Sequence, residues 1–322
     1  MKAVLQYRAS PLFVERLHAL APPWLRVVVV DETDKETFGR EMRDAHALLH
    51  VLEPVTRAVL AAAPELRLVQ KIGVGVNTID LAAAAELGVG VANMPGTNTQ
   101  AVAELALTLM LAALRRVPPI DAATRAGEGW KLDPRVLDAC GELGGRTVGL
   151  VGYGAVARRL APVLVALGAR VLYHARRPVP DAVGELRSID ALFAESDVVS
   201  LHVPLTSETE KLVDSARLAT MKKGAVLVNT ARGGLVDEPA LIEALRRGTL
   251  RAAGLDVFAE EPVAPTNPLL SLPNVVVMPH VAWLTPETLE RSLGIAYANC
   301  ERARKGEGLL HEVRPNLRGG VD

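Results

Sequence analysis

The segment from Gly152 to Ala157 has the residue types and the spacing of a phosphate-binding turn. It reads G-x-G-x-x-A and directly follows the predicted strand Thr147–Val151. Gly152 allows a sharp turn, Gly154 leaves room for a pyrophosphate beside the backbone, and Ala157 permits close packing of the next helix on the strand. The amide groups that open this helix face the anion. Because strand, turn and helix come in the required order, the segment predicts a nicotinamide dinucleotide site rather than a tight turn without a ligand.

The end of the next predicted strand, Arg170–Tyr173, bears on which dinucleotide is bound. An NAD site usually offers a carboxylate to the ribose hydroxyls about 20 residues after the turn. Here that position is Ala175, and Arg176 and Arg177 follow it. Without the acid a 2′-phosphate is not repelled, and either arginine can bind it through charge-assisted hydrogen bonds. We therefore predict a preference for NADP(H), with NAD(H) possible; the alternative is a solvated basic loop.

Three later segments each follow a predicted strand and carry a side chain suited to chemistry. They hold Arg232, Glu261 and His280. The carboxyl ends of parallel strands meet at one edge of the sheet, where α/β proteins bind their ligands. Taken singly, each residue also has a purely structural explanation: an exposed turn arginine, a solvated loop acid and a histidine that caps a strand.

The elements that would position these residues alternate between short β-rich runs and helical stretches, which is typical of parallel sheets. A helix predicted from about Asn98 to Arg116 separates two series of strands, and Thr285 with Pro286 marks the start of a last helix. We predict two doubly wound α/β domains. A Rossmann dinucleotide-binding domain, residues 98–286, is inserted in a flavodoxin-like substrate domain, residues 1–97 plus 287–322. The predicted strands are 3–5, 27–30, 47–49, 68–72 and 90–92, then 147–151, 170–173, 198–201, 225–229, 251–255 and 275–278.

Further motifs extend over nearly the whole chain in a characteristic order. They are Gly73–Asp80 (GVGVNTID), Asn93–Asn98 (NMPGTN), Val102–Glu104 (VAE) and Leu201–Thr206 (LHVPLT). Together with the segments above, they make the sequence resemble the D-isomer-specific 2-hydroxyacid dehydrogenase family. Because so many ordered motifs coincide, the resemblance is highly specific.

The resemblance implies that Arg232 holds the substrate carboxylate, that His280 is the acid/base and that Glu261 orients and charges His280. The physical chemistry is consistent with these roles. A 2-oxo acid presents a planar carboxylate that an arginine fork grips well. Hydride addition to the ketone builds negative charge on oxygen, which a protonated imidazole neutralises by donating its proton. A neighbouring carboxylate favours the protonated imidazole, and the hydride chemistry belongs to the cofactor.

The motifs described above, the resemblance and two departures from it (Leu52 and Trp283) together predict the remaining binding residues. The predicted substrate contacts are Leu52, the backbone amides of Val74 and Gly75, Arg232 and Trp283. The predicted cofactor contacts are Thr97, Gly152, Tyr153, Gly154, Ala155, Val156, Ala175, Arg176, Arg177, His202, Val203, Pro204, Thr206, Thr230, Ala231, Asp256 and His280. Asp237 is expected to cap a helix instead of touching a ligand, because Pro239 marks a first helical turn. No metal site is predicted.

The sequence departs from phosphoglycerate-specific relatives in the loop Leu49–Thr56. Those relatives place an arginine there, whereas this chain has Leu52 and Glu53. A phosphorylated substrate would lack that clamp, and Glu53 would repel it. We also expect no serine-sensing regulatory domain, because the sequence shows none before Asp322. We expect glyoxylate, hydroxypyruvate or a modest apolar 2-oxo acid as the substrate, converted to the D-2-hydroxy acid.

Other functions remain open at this point. The same carboxylate anchor would serve the reduction of imines formed from 2-oxo acids. A non-catalytic, dinucleotide-sensing corepressor-like protein is a second alternative. Formate oxidation is disfavoured, because the N-terminal extension and the glutamine before the histidine expected for it are missing.

Bulk composition points to a small-molecule partner. The 36 Lys and Arg against 37 Asp and Glu give a net charge of −1, so there is no electrostatic footprint for nucleic acid or an anionic membrane. Two cysteines without metal-ligand spacing fit a reducing, cytoplasmic setting. The apolar stretch Ala101–Leu114 is too short to span a bilayer. With the family resemblance, this helix suggests a homodimer.

Overall fold

The computed structural model describes residues 1–315 of the 322-residue chain. It divides into two compact units. The terminal unit comprises Met1–Asn98 and the chain from Leu284 onward, and the central unit comprises Thr99–Trp283. The sequence-based boundaries, 97/98 and 286/287, lie one and three residues from these divisions.

The terminal unit is a five-stranded parallel sheet with helices around it. Its strands pair in the order β2-β1-β3-β4-β5, which is the flavodoxin-like doubly wound order. The strands are β1 Lys2–Gln6, β2 Arg26–Val30, β3 Ala47–His50, β4 Leu68–Lys71 and β5 Gly90–Ala92, and the helices are α1 Pro11–Leu20, α2 Lys35–Met42, α3 Arg57–Ala61, α4 Leu81–Glu86 and α12 Pro286–Lys305.

Side-chain caps explain where these helices begin. Ser10, Asp34, Thr56 and Asp80 each accept a hydrogen bond from the backbone N–H three residues on, which satisfies one of the free donors of a first turn. Helix α12 begins in the same way at Thr285 with Pro286 in its first turn, as the sequence predicts.

The central unit is a seven-stranded parallel sheet with strand order β12-β11-β10-β9-β6-β7-β8. Its strands are β6 Thr147–Val151, β7 Arg170–His174, β8 Glu185–Leu186, β9 Val198–Leu201, β10 Ala225–Asn229, β11 Leu250–Leu255 and β12 Val275–Val277, and its helices are α5 Thr99–Arg115, α6 Val117–Arg125, α7 Pro134–Asp138, α8 Ala155–Ala166, α9 Ile189–Glu195, α10 Ser215–Thr220 and α11 Glu238–Arg246. The strand order reverses between β6 and β9, the point at which doubly wound sheets bind dinucleotides.

Helices cover both faces of this sheet. Val226 and Val228 of β10 pack on one face with residues of α5 and α8. Ala225 and Leu227 of the same strand pack on the other face with residues of α9, α10 and α11. Burial on both faces makes the strands continuously apolar, and this is why their positions could be predicted. The two predicted doubly wound parallel α/β folds are confirmed.

Short elements differ from the prediction. The sequence-based prediction omits β8, a two-residue edge strand with both side chains exposed. Such a strand carries no hydrophobic pattern from which it could be predicted. It also ends the long helix at Arg116. The chain continues there through a left-handed Arg116 (φ 53°) into α6, whose first turn contains proline.

Candidate active site

The glycine turn lies at the switch point of the central sheet. Gly152 has φ +94°, and a Cβ at this position would lie 2.6 Å from the His202 carbonyl oxygen, so the turn after β6 requires glycine. Gly154 caps the start of α8, and a Cβ there would meet nothing within 4 Å. Ala157 is fully buried against the sheet. The start of α8 therefore faces open space that an anion can enter.

Three predicted cofactor residues belong to this turn. Ala155 is exposed and Val156 is half-buried in the first turn of α8. The side chain of Tyr153 is used internally, because its hydroxyl donates to the Val183 carbonyl oxygen (3.0 Å) and accepts from the Val183 N–H (2.7 Å). Tyr153 would therefore contact a dinucleotide through its backbone.

The predicted 2′-phosphate site follows β7. Ala175 is half-buried, and Arg176 and Arg177 are exposed. Neither arginine forms a hydrogen bond or an ion pair with residues 1–315, whereas the nearby Arg170 and Arg187 both bind Glu185. The two arginines thus keep their donors available to a ligand.

Two buried polar atoms lie at the same sheet edge without a partner in the described chain. They are Nε2 of His202, which follows β9, and Oγ1 of Thr230, which follows β10. Burial lowers the pKa of His202 to about 4, so its ring is neutral at pH 7. Buried donors and acceptors are normally paired. These orphaned atoms, with the open space over Gly154, fit a dinucleotide with its ribose hydroxyls and phosphates.

The other predicted cofactor residues at this edge lie in the loops that follow β9 and β10. Thr209 Oγ1 donates to the Pro204 carbonyl oxygen (2.7 Å) and accepts from the Thr206 N–H (2.8 Å), which holds the loop after β9 together. Val203 is half-buried beside Gly152. After β10, the Ala231 N–H donates to Asn229 Oδ1 (3.0 Å).

Arg232 is held in a tight turn after β10. Asn229 is buried and its Nδ2 donates to the Arg232 carbonyl oxygen (2.9 Å). The next residue, Gly233, has no room for a side chain, since a Cβ would lie 1.8 Å from the Phe258 carbonyl oxygen. This contact presses the Arg232 turn against the turn that carries Glu261. Burial lowers the pKa of Arg232, and the charge of Glu261 acts in the opposite direction.

Glu261 and His280 form a direct pair. Glu261 Oε2 lies 2.6 Å from His280 Nδ1, and its Oε1 accepts from the Phe258 N–H at 2.9 Å. Burial raises the pKa of Glu261, but the net shift is to below its ordinary value. The lowering comes from the hydrogen bond and charge of His280, from the Phe258 N–H and from the charge of Arg232. The structure thus brings the three predicted catalytic side chains together.

Asp256 fixes the backbone around His280. It is fully buried, and its two carboxylate oxygens accept from the N–H groups of Val281 (2.9 Å) and Ala282 (3.0 Å). Its carbonyl oxygen accepts from the His280 N–H (2.8 Å). His280 has φ +56°, an unfavourable conformation for a non-glycine residue that needs such support. Trp283, predicted to touch substrate, is buried and donates from Nε1 to the His280 carbonyl oxygen (3.1 Å).

The remaining predicted contacts belong to the terminal unit. Leu52 and Val74 are exposed, with 39% and 44% of their surface accessible, and Gly75 is half-buried. Thr97 is buried, and its hydroxyl donates to the Met94 carbonyl oxygen (3.1 Å). Glu53, expected to repel a phosphate, forms an ion pair with Lys35 that offsets its charge.

Two buried basic residues under the Leu52 loop escaped the sequence-based prediction. Lys71 donates from Nζ to the Val51 carbonyl oxygen, and His50 Nε2 lies 2.7 Å from the Glu53 carbonyl oxygen. Burial, reinforced by the charge of Lys71, lowers the pKa of His50 to about 3. Their position at the carboxyl ends of β3 and β4 was the available signal.

Residues 1–315 contain no cluster of three or more His, Cys, Asp or Glu side chains arranged to hold a metal ion. Over the same residues, no helix combines the length and the apolar character needed to cross a membrane.

Known proteins resemble this chain in both sequence and fold. Residues 107–282 match the family model "D-isomer specific 2-hydroxyacid dehydrogenase, NAD binding domain". A glyoxylate reductase from Aeropyrum pernix is 42% identical over 88% of this chain and 85% of its own length. A D-3-phosphoglycerate dehydrogenase from Mycobacterium leprae is 41% identical over 91% of this chain but only 55% of its own length. The crystal structure of the TT0316 protein from Thermus thermophilus superposes with a TM-score of 0.87 at 37% identity, covering 97% of this chain and 99% of that one.

The family model spans more than half of the chain and includes the glycine turn, Arg232, Glu261 and His280. The similarity to the Aeropyrum pernix glyoxylate reductase covers 88% of the chain and so includes most of the remainder. The chain is an oxidoreductase and belongs to the D-isomer-specific 2-hydroxyacid dehydrogenase family.

Proposed function

We propose that this protein reduces a small 2-oxo acid, such as glyoxylate or hydroxypyruvate, to the D-2-hydroxy acid, with NADPH preferred over NADH. The observation that carries the proposal is the contact between Glu261 and His280 beside Arg232. The glyoxylate reductase that is 42% identical to this chain supports the substrate class.

The arrangement of Arg232, Glu261 and His280 supports a separate role for each side chain. Arg232 binds the substrate carboxylate through its guanidinium fork. A carboxylate can only accept a hydrogen bond, so the His280 proton that faces Glu261 is on Nδ1, and Nε2 is left for the substrate. When His280 is protonated, Nε2 donates its proton to the ketone oxygen while the bound cofactor supplies the hydride. Glu261 stabilises the imidazolium before transfer.

The cofactor preference rests on Arg176 and Arg177. Both are exposed and lack partners in residues 1–315, and Ala175 offers no carboxylate to repel a 2′-phosphate. Converting both arginines to glutamine should lower kcat/KM for NADPH by about 10-fold to 100-fold, the value of a single charge-assisted hydrogen bond, while kcat/KM for NADH stays nearly constant. A clear NADH preference in the unaltered protein would end the proposal of NADP(H) specificity.

The substrate proposal extends to the terminal unit. Leu52, Val74 and Gly75 would contact the substrate side chain and carboxylate there, and the exposed Leu52 provides no cation for a phosphate. We expect measurable kcat/KM on glyoxylate and hydroxypyruvate and little on 3-phosphohydroxypyruvate. Preferential turnover of the phosphorylated acid would contradict this substrate class.

One set of steady-state assays separates the alternatives. Cofactor oxidation is measured with glyoxylate, hydroxypyruvate, phenylpyruvate and 2-oxobutyrate, with and without methylamine. Turnover without amine is the expected result. Turnover that depends on methylamine would indicate an imine reductase, and binding of NADPH without any turnover would favour a dinucleotide-sensing protein.

We further propose that the protein is a homodimer formed by the central unit. Large apolar side chains of this unit are exposed: Trp130 by 90%, Leu137 by 51% and Val117 by 49%. Large apolar side chains exposed to this extent, a tryptophan above all, are characteristic of an interface. Sedimentation equilibrium should show a dimer that Trp130→Ser weakens and that Leu12→Ser, an exposed site of the terminal unit, leaves intact. A wild-type monomer would contradict the proposal.

A further inference from the structure

Three arginines of the central unit converge at the sheet edge opposite the glycine turn. Arg146 directly precedes β6, Arg251 is the second residue of β11, and Arg116 lies between α5 and α6. At about 3.3 Å per residue, the five residues of β6 place Arg146 roughly 15–20 Å from Gly152. This arginine cluster is therefore separate from the candidate active site.

The guanidinium groups of Arg146 and Arg251 lie close together beside Gly141. A Cβ at Gly141 would lie 2.7 Å from Nη2 of Arg146 and 3.4 Å from both terminal nitrogens of Arg251. Burial lowers the pKa of Arg251, and the charges of Arg146 and Arg116 lower it further, while the Cys140 thiol opposes them. The charges of Arg146 and Arg116 thus both lie within electrostatic range of Arg251.

No carboxylate of the described chain neutralises these charges. Across residues 1–315 none of the three arginines forms an ion pair; Arg146 Nε donates to the Glu142 carbonyl oxygen (2.6 Å), and Arg251 Nη2 donates to the Leu114 carbonyl oxygen (3.3 Å). The Nε atoms of Arg116 and Arg251 are buried and have no hydrogen-bond partner in this part of the chain. Buried unpaired donors and uncompensated like charges both destabilise a fold.

We propose that the arginine cluster is a binding site for a small oxyanion, the phosphate or carboxylate group of a soluble metabolite. Such a group has several acceptor oxygens, so it can accept from more than one guanidinium and neutralise the excess positive charge. Gly141 supports this arrangement, because a side chain there would displace Arg146. The site lies outside the reaction centre, and its occupancy would stabilise the central unit.

Thermal unfolding of the cofactor-saturated protein tests the proposal, because bound cofactor prevents phosphate from acting at the glycine turn. Inorganic phosphate, sulfate and acetate are titrated at an ionic strength held constant with sodium chloride. At about 100 times its Kd, an anion bound only by the folded state should raise Tm by roughly 5 °C. The ranking of phosphate, sulfate and acetate identifies the chemical class. The proposal would be overturned if added sodium chloride alone raised Tm as much as the oxyanions do, or if no oxyanion raised Tm.

Substitutions within the arginine cluster test whether the anion-dependent rise in Tm arises there. Arg146→Met and Arg251→Met should abolish the anion-dependent rise, yet match or exceed the wild-type Tm in anion-free buffer, because charge repulsion is relieved. Arg246→Met, an exposed arginine at the end of α11, should keep the full rise. A full rise in both cluster variants would refute the site. Loss of a dimer in these variants, with no wild-type response to anions, would assign the cluster to carboxylates of a second copy and would also refute it.

Discussion

The contact between Glu261 and His280 determines which imidazole nitrogen can serve the substrate. Glu261 has its pKa lowered and is therefore a carboxylate at neutral pH. It accepts a hydrogen bond from Nδ1–H, and Asp256 holds the left-handed backbone of His280 through three backbone N–H groups. The imidazole is thus fixed both in its tautomer and in its position, as a general acid requires.

Arg232→Lys should retain the positive charge but lose the guanidinium fork. Because hydrogen bonds to charged groups are each worth about 1.5–3 kcal/mol, kcat/KM for glyoxylate should fall by roughly 10-fold to 100-fold, mainly through KM. Steady-state kinetics measure the change, and Arg247→Lys, at the exposed residue that follows α11, serves as the control. An unchanged kcat/KM would show that Arg232 does not bind the substrate carboxylate.

Gly233→Ala should separate the two turns that carry Arg232 and Glu261. The added methyl would overlap the Phe258 carbonyl oxygen, a backbone atom that cannot rotate away. We expect a loss of at least about 1–3 kcal/mol in the free energy of unfolding, in the range of overpacking substitutions, and reduced kcat. At Gly234 the methyl would meet only the mobile end of Leu205, so Gly234→Ala should cost less in chemical denaturation. Equal costs would contradict this explanation.

Sequence alone could identify Arg232, Glu261 and His280 as candidates, because each follows a strand and matches a family motif. It could not show that Gly233 must be glycine, since the reason lies in Phe258, which is distant along the chain. Nor could it show that the Asp256 carboxylate holds the His280 loop. Such contacts depend on how two turns meet in space, not on the pattern within either one.

Among the elements, those with local signals could be predicted and those without them could not. The start of α12 is encoded by Thr285, Pro286 and Glu287, and Asp237 caps α11 as expected. Helix α7 is short and without buried residues, so no hydrophobic periodicity reveals it. The short strand β8 is defined by its pairing with β7, which is a tertiary contact.

Thr285→Ala should weaken the start of α12. Thr285 Oγ1 accepts from the Thr288 N–H at 3.1 Å, and loss of such a cap costs about 1 kcal/mol (range 0.5–2). Chemical denaturation should show this decrease, whereas Thr285→Ser should remain close to wild type. If alanine and serine were equivalent, the hydroxyl would not be the source of the stability.

At the level of the whole molecule, both sheet types follow from sequence, since alternating strands and helices imply parallel sheets. Each sheet has a doubly wound order, and the parallel pairing of β6 with β9 places the glycine turn beside His202. The burial of the His202 ring and of His50 could not be predicted from sequence patterns. It depends on which loops cover the strand ends.

These histidines make the stability of the protein dependent on pH. The pKa of His50 is lowered from 6.5 to about 3, so below pH 6.5 the unfolded state binds a proton that the folded state does not. Stability is therefore complete above pH 6.5 and decreases as the pH falls toward 3. Between pH 6.5 and 5, His50 alone should remove about 1.5 kcal/mol from the free energy of unfolding.

Chemical denaturation at several pH values checks this sign and size. His50→Gln should reduce the loss between pH 6.5 and 5 by about 1.5 kcal/mol, whereas His311→Gln, at an exposed position, should leave it unchanged. An identical pH dependence in His50→Gln and wild type would show that His50 titrates normally in the folded state.

The rate of hydride transfer to hydroxypyruvate in wild type and His280→Ala tests the central claim most directly. Single-turnover stopped-flow, monitored by cofactor absorbance, separates this step from product release. We predict that His280→Ala, saturated with cofactor, transfers hydride about 10²-fold to 10⁴-fold more slowly than wild type, the usual contribution of a general acid. A rate within a few-fold of wild type would contradict the proposed reaction at this site.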